Sequence, residues 1–260
     1  MFLVAAVTSL RTEFDRRRPD FPAGTPFWKD RSFEILLERC PQLRGITDFL
    51  QTEGEDARFE GEESIERLQS SYKDHGYGRF LYALVRFLKP ARCVEFGVLQ
   101  GFSLLTVAAA LRDNGSGHID GFDLFEDYPY THEPYARAAA RIERSGLRDW
   151  AQIHRAGAVH VSGHFARLDY LHVDLSNDGD IYRRTFEEWA GKVGRAIVLE
   201  GGSAERDRVD WMIRYRKSSI APVIEELRRR HADWTIVVLE PYPSLTVAIR
   251  SAGQTVPEAP

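Results

Sequence analysis

Residues 234–250 read WTIVVLEPYPSLTVAIR, and this stretch decides the fold. It contains two apolar, β-prone runs, residues 234–240 and 245–250, which are separated only by the residues PYPS. A connection between two parallel strands needs about a dozen residues or more, so these two runs must pair as antiparallel strands. The sequence therefore predicts a terminal β-hairpin.

Five further strand-like runs precede the hairpin, and helical patterns separate them. They are ARCVEF (91–96), HIDGFDL (118–124), AQIHRA (151–156), DYLHVDL (169–175) and GRAIVLE (194–200). One helical pattern, EPYARAAARIERSG at 133–146, places Ala138, Ala139 and Ile142 on one face. Alternation of strands and helices predicts a parallel sheet with helices on both faces. Together with the hairpin, it predicts a doubly wound, Rossmann-like α/β sheet of seven strands whose last strand is antiparallel.

Composition and charge exclude several classes of partner. The chain has 260 residues and a formal net charge of −4, with a pI near 6.1, so there is no basic footprint for nucleic acid. The N-terminal run MFLVAAVTSL lacks a basic segment and is too short to span a bilayer. We therefore expect no nucleic-acid or membrane partner and a cytoplasmic location.

Residues 1–75 differ in character from the strand-and-helix repeat. Residues 11–78 are charged and broken by proline and glycine, and they contain short helical patterns, SFEILLERC at 32–40 and roughly ESIERLQSSYK at 63–73. We predict a mainly helical N-terminal extension at 1–75, a cofactor-binding domain at 76–253 and a tail at 254–260. The extension is expected either to cap the acceptor side of the sheet or to supply a homodimer surface.

The stretch VEFGVLQG at 94–101 lies where the first strand gives way to an apolar helix. In an open α/β sheet, ligands bind at the carboxyl ends of the strands. Gly97 would allow a tight turn with the backbone close to a ligand, and Gly101 would let the next helix approach that ligand. The G-x-G-x-x-G pattern that holds a pyrophosphate is absent. Glu95 at the strand end suits a cationic amino-acid ligand better than a diphosphate.

The pattern E-x-G-x-x-x-G at 95–101 resembles motif I of the class I S-adenosylmethionine-dependent methyltransferases, and the likeness extends over roughly residues 76–252. The resemblance implies that this loop cradles the methionine part of S-adenosylmethionine and that Asp123 accepts the ribose hydroxyls. It also places Gly157 and Ala158 in the adenine loop, where Ala156 replaces the usual acid. The implied cofactor-binding residues are Glu95, Gly97, Gly101, Ser103, Asp123, Leu124, Gly157, Ala158 and Asp174.

The segments LHVDLSNDGDIYRRTFEEW (171–189) and GRAIVLEGG (194–202) look like those of the branch that contains the macrocin-type sugar O-methyltransferases. This resemblance implies O-methylation of a small polar acceptor, such as a sugar or a sugar-bearing metabolite. Removing the proton of a hydroxyl acceptor requires a general base or a divalent cation. Asp174 and Glu200, at the tips of neighbouring strands, are the expected catalytic pair and the candidate ligands of Mg²⁺.

The sequence departs from the metal-dependent pattern of this branch. Its Asp-Asp or Asp-Asn pair is Glu200-Gly201 here, which removes one ligand. Asp178 and Asp180 could compensate, or they could cap a helix that starts near Ile181. A metal-free site with Asp174 or a histidine as the base therefore stays open.

The basic run RDRVDWMIRYRK at 206–217 is interpreted as the solvated face of an amphipathic helix. Two other functions compete with the methyltransferase interpretation. One is an NAD(P)-linked oxidoreductase, against which the missing third glycine and the terminal hairpin argue. The other is a methyltransferase-like binding or scaffold protein without turnover, for which the replaced acids argue.

Overall fold

The computed structural model describes residues 25–50, 65, 68, 70–129, 132–158, 161–175 and 177–251. The N-terminal run MFLVAAVTSL and the predicted tail at 254–260 lie outside the described residues. No helix within the described residues has both the length and the apolar character needed to cross a membrane.

All seven predicted strands form, and they belong to one sheet. Their bounds are β1 Arg92–Phe96, β2 His118–Asp123, β3 Ala151–Arg155, β4 Leu168–Val173, β5 Val193–Glu200, β6 Trp234–Leu239 and β7 Leu245–Arg250. The order across the sheet is β3-β2-β1-β4-β5-β7-β6. The pairings among β1 to β5 are all parallel.

The terminal hairpin inserts its second strand into the sheet. β7 lies between β5 and β6 and pairs antiparallel with both, and Val247 is the partner of Val198 on one side and of Val237 on the other. The predicted doubly wound, seven-stranded sheet with an antiparallel last strand is confirmed.

Helices cover both faces of the sheet. The described α-helices are α1 Arg31–Arg39, α2 Ile46–Leu50, α3 Tyr77–Leu88, α4 Phe102–Asn114, α5 Tyr135–Arg144, α6 Gly179–Trp189, α7 Asp210–Arg214 and α8 Ile220–Arg230. One apolar core contains residues of α1 to α5 together with one sheet face, and a second contains residues of α6 and α8 with the other. Because β1 is central, its side chains reach both cores, Cys93 on one side and Val94 on the other.

The described part of the N-terminal extension packs on the first of these cores. The Phe27 ring stacks on the Tyr77 ring with 5.5 Å between their centroids. The centroids of three further aromatic rings lie 5.1 to 5.3 Å from that of Phe27. The Tyr77 hydroxyl donates to the carbonyls of Leu239, at 3.2 Å, and Pro241, at 2.6 Å. A short 3₁₀ helix, Ser71–His75, then leads into α3 and passes over the carboxyl end of the sheet. The described part of the extension is mainly helical, as predicted, while the division of the chain at 75 and 253 stays a prediction.

Candidate functional site

A cavity of about 660 Å³ opens at the carboxyl ends of the central strands. Its volume is in the range typical of small-molecule sites. β1 lies between β2 and β4, so the chain leaves β1 in one direction across the sheet and later returns to its other side, which is where ligands bind in open α/β sheets. The lining comes from Ser70–Tyr72, Gly97–Gln100, Phe102, Ser103, Phe122–Leu124, Tyr128, His132, Ala156–Ala158, Asp174, Leu175, five residues of α6 including Trp189, and Glu200.

The loop after β1 requires glycine at two positions for different reasons. Gly97 has φ +88°, and a Cβ there would lie 1.8 Å from the backbone oxygen of Asp174. Gly101, which precedes α4, has φ +87°, but the nearest atoms to its hypothetical Cβ are 3.9 Å away. Gly97 is therefore fixed by close packing of β1 against β4. A side chain at Gly101 would meet no close neighbour, so its left-handed backbone, and not a lack of space, is the reason for glycine there.

Asp123, at the end of β2, holds this loop in place. Its Oδ2 accepts hydrogen bonds from the backbone amides of Val98 and Leu99, both at 2.8 Å, and its Oδ1 accepts from Phe125 N at 3.0 Å. A carboxylate offers about four acceptor positions, so about one remains for a ligand hydroxyl. Accepting both hydroxyls of a ribose would require Asp123 to release one loop amide.

The edge of the cavity carries apolar side chains that are unusually exposed. Leu99, Leu124 and Leu175 are 39%, 40% and 36% exposed, and they account for three of the five exposed large hydrophobic residues among those described. All three line the cavity. Such a rim suits a flat, partly apolar ligand group, which would cover these side chains. Polar groups on the α6 side of the cavity are Arg184, Thr185 and Glu188.

Glu95 lies beneath the cavity in a buried polar chain. It is fully buried, and its Oε1 accepts from the Ser103 hydroxyl at 2.8 Å. Its Oε2 lies 3.1 Å from His172 Nδ1, and His172 Nε2 lies 3.1 Å from the Tyr72 hydroxyl. Because a carboxylate accepts, the imidazole proton belongs on Nδ1, which leaves Nε2 to accept from Tyr72. This chain ties the N-terminal extension to β4, β1 and α4.

The strand tips of β4 and β5 bring Asp174 and Glu200 together, as predicted. Burial, followed by the charge of Glu200 and a hydrogen bond to it, raises the pKa of Asp174 well above its usual value. Burial also acts on Glu200, but the charge of Arg206 and hydrogen bonds from Asp174, Asn177 and Arg206 outweigh it and lower the pKa of that carboxyl. Asp174 is therefore the protonated partner of the pair, and it donates to an ionised Glu200.

Glu200 is enclosed by donors. Arg206 Nη2 lies 2.9 Å from its Oε1, and Asn177 Nδ2 lies 2.8 Å from its Oε2. The Ser71 hydroxyl lies 3.4 Å from Oε1. Arg206 is only 4% exposed, so the interpretation of residues 206–217 as a solvated face is wrong for this residue. Its guanidinium points inward because it neutralises a buried carboxylate.

These residues do not fit a divalent cation. Mg²⁺ requires oxygen ligands with lone pairs directed at it. Both Glu200 oxygens already accept from nitrogen donors, and Asn177 presents its amide nitrogen, since its Oδ1 accepts from Tyr182 at 3.3 Å. Among the described residues, no group of three or more His, Cys, Asp or Glu side chains could hold a metal ion. The Asp178 side chain accepts from the Asp180 amide at the start of α6, so it acts as a helix cap.

Eight of the predicted site residues line the cavity: Gly97, Ser103, Asp123, Leu124, Gly157, Ala158, Asp174 and Glu200. Glu95 and Gly101 do not line it, and both are buried. Tyr72, Asn177 and the buried position of Arg206 were not predicted. No sequence pattern indicated them, since a basic run does not tell which of its side chains turns inward.

Comparisons with known proteins agree with this arrangement. The family described as "Methyltransferase domain" matches residues 94–199, which extend from β1 to β5. The caffeoyl-CoA O-methyltransferase 1 of Eucalyptus globulus is 26% identical over 171 residues, which cover 63% of this chain and 61% of that protein. The matched region thus spans about three fifths of the length of this relative.

Solved structures share the fold. The O-methyltransferase TomG from Streptomyces achromogenes, involved in tomaymycin synthesis and solved with S-adenosylmethionine, superposes with a TM-score of 0.56 at 18% identity, covering 76% of this chain and 90% of that one. The O-methyltransferase from Bacillus cereus, in complex with S-adenosylhomocysteine, gives 0.56 at 18% identity, with coverages of 79% and 95%. These solved methyltransferases therefore share the fold of this chain, and residues 94–199 match the family described as "Methyltransferase domain".

Proposed function

We propose that this protein is an S-adenosylmethionine-dependent O-methyltransferase that acts on a small polar acceptor. The observation that carries the proposal is one cavity that joins the glycine loop at 97–101 and Asp123 to the carboxyl pair at 174 and 200. One end of this cavity offers the groups that hold a nucleoside and an amino acid. The other end offers acids that can receive a proton from a hydroxyl.

The residues around the glycine loop fit S-adenosylmethionine. Gly97 lines the cavity without a side chain, so a ligand could approach the backbone there, and the leucines at the rim can flank the adenine ring. The remaining acceptor position of Asp123 can take a ribose hydroxyl. When bound, the cofactor supplies a methyl group that is already activated on a sulfonium.

Asp174 is the general base of this proposal. Asp174 acts in its ionised form, after its own proton has left to solvent: the proton of the acceptor hydroxyl then passes to its carboxylate as the acceptor oxygen bonds to the methyl carbon and the carbon–sulfur bond breaks. A base is most effective when its pKa approaches the working pH, and the raised pKa of Asp174 meets this condition better than the lowered pKa of Glu200. Glu200 orients Asp174, because in the resting state it accepts a hydrogen bond from the protonated Asp174 carboxyl.

A sugar or a sugar-bearing metabolite is the acceptor class we propose. Ser70, Ser71 and Tyr72 of the N-terminal extension line the same cavity as Asp174 and Glu200, and hydroxyls and carboxyls can bind several sugar hydroxyls at once. A catechol-type acceptor is the second candidate, because the relative from Eucalyptus carries the name caffeoyl-CoA O-methyltransferase. The cytoplasmic location and the homodimer stay predictions.

Calorimetric titration with S-adenosylmethionine and S-adenosylhomocysteine tests the cofactor. Binding by the wild type, followed by release of S-adenosylhomocysteine with hexoses, amino sugars or catechol as acceptors, is the expected result. Binding without transfer to any of these acceptors would favour the scaffold interpretation. An absorbance change with NAD(P)H and no binding of S-adenosylmethionine would favour the oxidoreductase.

A further inference from the structure

Arg206 is held rigidly beside the carboxyl pair. It begins a short 3₁₀ helix, Arg206–Arg208, that follows the glycine pair after β5. Its backbone amide donates to the Ser203 hydroxyl at 3.2 Å, and its Nη1 lies 3.3 Å from the Tyr242 hydroxyl. The guanidinium also lies over the Tyr242 ring, 5.3 Å from the centroid. Contacts on several sides fix the position of this positive charge.

The carboxylate that Arg206 binds is the one that would otherwise attract a cation. Glu200 is 5% exposed, and a buried carboxylate without a counter-charge is strongly unfavourable. The ion pair of 2.9 Å satisfies it from one side, and the amide of Asn177 satisfies it from the other. Asn177 adopts φ +47°, a left-handed conformation that asparagine tolerates and that directs its amide group to Glu200.

We infer that Arg206 is the resident cation of this site, so that the methyl transfer proposed above needs no divalent metal. The inference rests on the proposed function for the reaction, but the binding chemistry follows from the residues alone. Arg206 is a positioning residue: its guanidinium fixes Glu200, and Glu200 in turn orients Asp174 toward the cavity. Without the guanidinium, two acids, together with the Asn177 amide once it rotates to present its oxygen instead of its nitrogen, would form the oxygen-rich set that Mg²⁺ prefers.

The test compares cation binding before and after removal of the guanidinium. Wild type, Arg206→Ala, Arg206→Lys and the control Arg208→Ala are treated with a chelator and titrated calorimetrically with Mg²⁺ and with Mn²⁺. Arg208 is exposed and lies two positions further on in the same 3₁₀ helix. We expect no cation binding by wild type, Arg206→Lys or Arg208→Ala, and a gain of at least about tenfold in affinity for Arg206→Ala, because its uncompensated acids need a cation.

A second titration, with S-adenosylmethionine, separates this inference from the proposed function. We expect the wild-type affinity to be the same with chelator and with Mg²⁺. Stoichiometric Mg²⁺ or Mn²⁺ binding by the wild type, or loss of methyl transfer after chelation, would overturn the role of Arg206 while leaving the methyltransferase proposal intact. Absence of S-adenosylmethionine binding in every protein would instead refute the proposed function. If Arg206→Ala does not fold, the wild type and Arg206→Lys still decide the question.

Discussion

Gly97 and Asp174 are in close backbone contact just past the carboxyl ends of the neighbouring strands β1 and β4. A Cβ at Gly97 would lie 1.8 Å from the Asp174 carbonyl oxygen, and the Asp174 amide donates to the Phe96 carbonyl at 2.8 Å. The loop that is proposed to hold the cofactor therefore leans directly on the strand end that carries the proposed base. Any widening between β1 and β4 would move both parts of the site.

We predict that Gly97→Ala is far more damaging than Gly101→Ala. Gly101→Ala should lower the free energy of unfolding by about 1–2 kcal/mol, the cost of a left-handed backbone for an L-residue. Gly97→Ala adds a clash with backbone and should cost more than about 3 kcal/mol, a value reached only by severe mechanisms. Denaturant unfolding of both variants measures the difference. Equal losses would mean that the two strands can separate at this point without penalty.

Asp123→Asn should weaken binding of S-adenosylmethionine by about tenfold or more, because hydrogen bonds from the amides of Val98 and Leu99 to a charged acceptor are each worth about 1.5–3 kcal/mol. An asparagine has one acceptor oxygen and no charge, so either the amides of Val98 and Leu99 or the amide of Phe125 lose their acceptor, and the bonds that remain are weaker. The control is Asp120→Asn on the same strand, where the carboxylate instead pairs with His154 at 2.7 Å.

Hydrogen exchange of the Val98 and Leu99 amides distinguishes the two roles of Asp123. Faster exchange in the ligand-free Asp123→Asn variant is expected if the carboxylate holds the loop. Weaker binding with unchanged exchange would show that Asp123 acts only on the ligand.

Much of the fold was predictable because buried segments have short, recognisable patterns of apolar residues. The inner strands are covered on both faces, so they contain continuous apolar runs, and AIVL at 196–199 of β5 is an example. The glycine loop was predictable as well, since positive φ angles at 97 and 101 leave glycine as the natural choice. The terminal hairpin followed from the short connection alone.

The partners of the buried acids were not predictable in the same way. Glu95 reads as a ligand-binding acid in VEFG, but its charge meets Ser103 and His172, and His172 comes from a strand 77 positions away. Arg206 reads as a surface residue, because a periodic pattern does not tell which basic side chain turns inward. Tyr72 lies 100 positions from His172, in the region that proline and glycine interrupt, so only the three-dimensional packing brings the two together.

A matched pair of tyrosines tests the buried polar chain. Tyr72→Phe leaves His172 Nε2 without its donor, and an unsatisfied buried group costs about 1–3 kcal/mol. Tyr170 lies two positions before His172 on β4, and its buried hydroxyl has no hydrogen-bond partner among the described residues. Tyr170→Phe should therefore be neutral or slightly stabilising. Urea unfolding of both variants measures this contrast, and an equal loss in the two would contradict the role given to Tyr72.

Asp174→Asn should abolish methyl transfer and stabilise the fold, and the size of the stabilisation should depend on pH. The folded-state pKa of Asp174 is raised, first by burial and then by Glu200. Below its usual pKa the carboxyl is protonated in both states, and its full contribution to stability is present. As the pH rises toward the raised folded-state value, the unfolded chain ionises first, so the wild type loses stability.

Asparagine cannot ionise, yet its amide can still donate to Glu200. We therefore expect the variant and the wild type to have the same melting temperature in acid, and the variant to have the higher one at neutral pH. We also expect the variant to lose methyl transfer and to keep binding of S-adenosylmethionine. Thermal unfolding at several pH values measures the first effect and release of S-adenosylhomocysteine the second; a variant that retains turnover would show that the proton goes to another group.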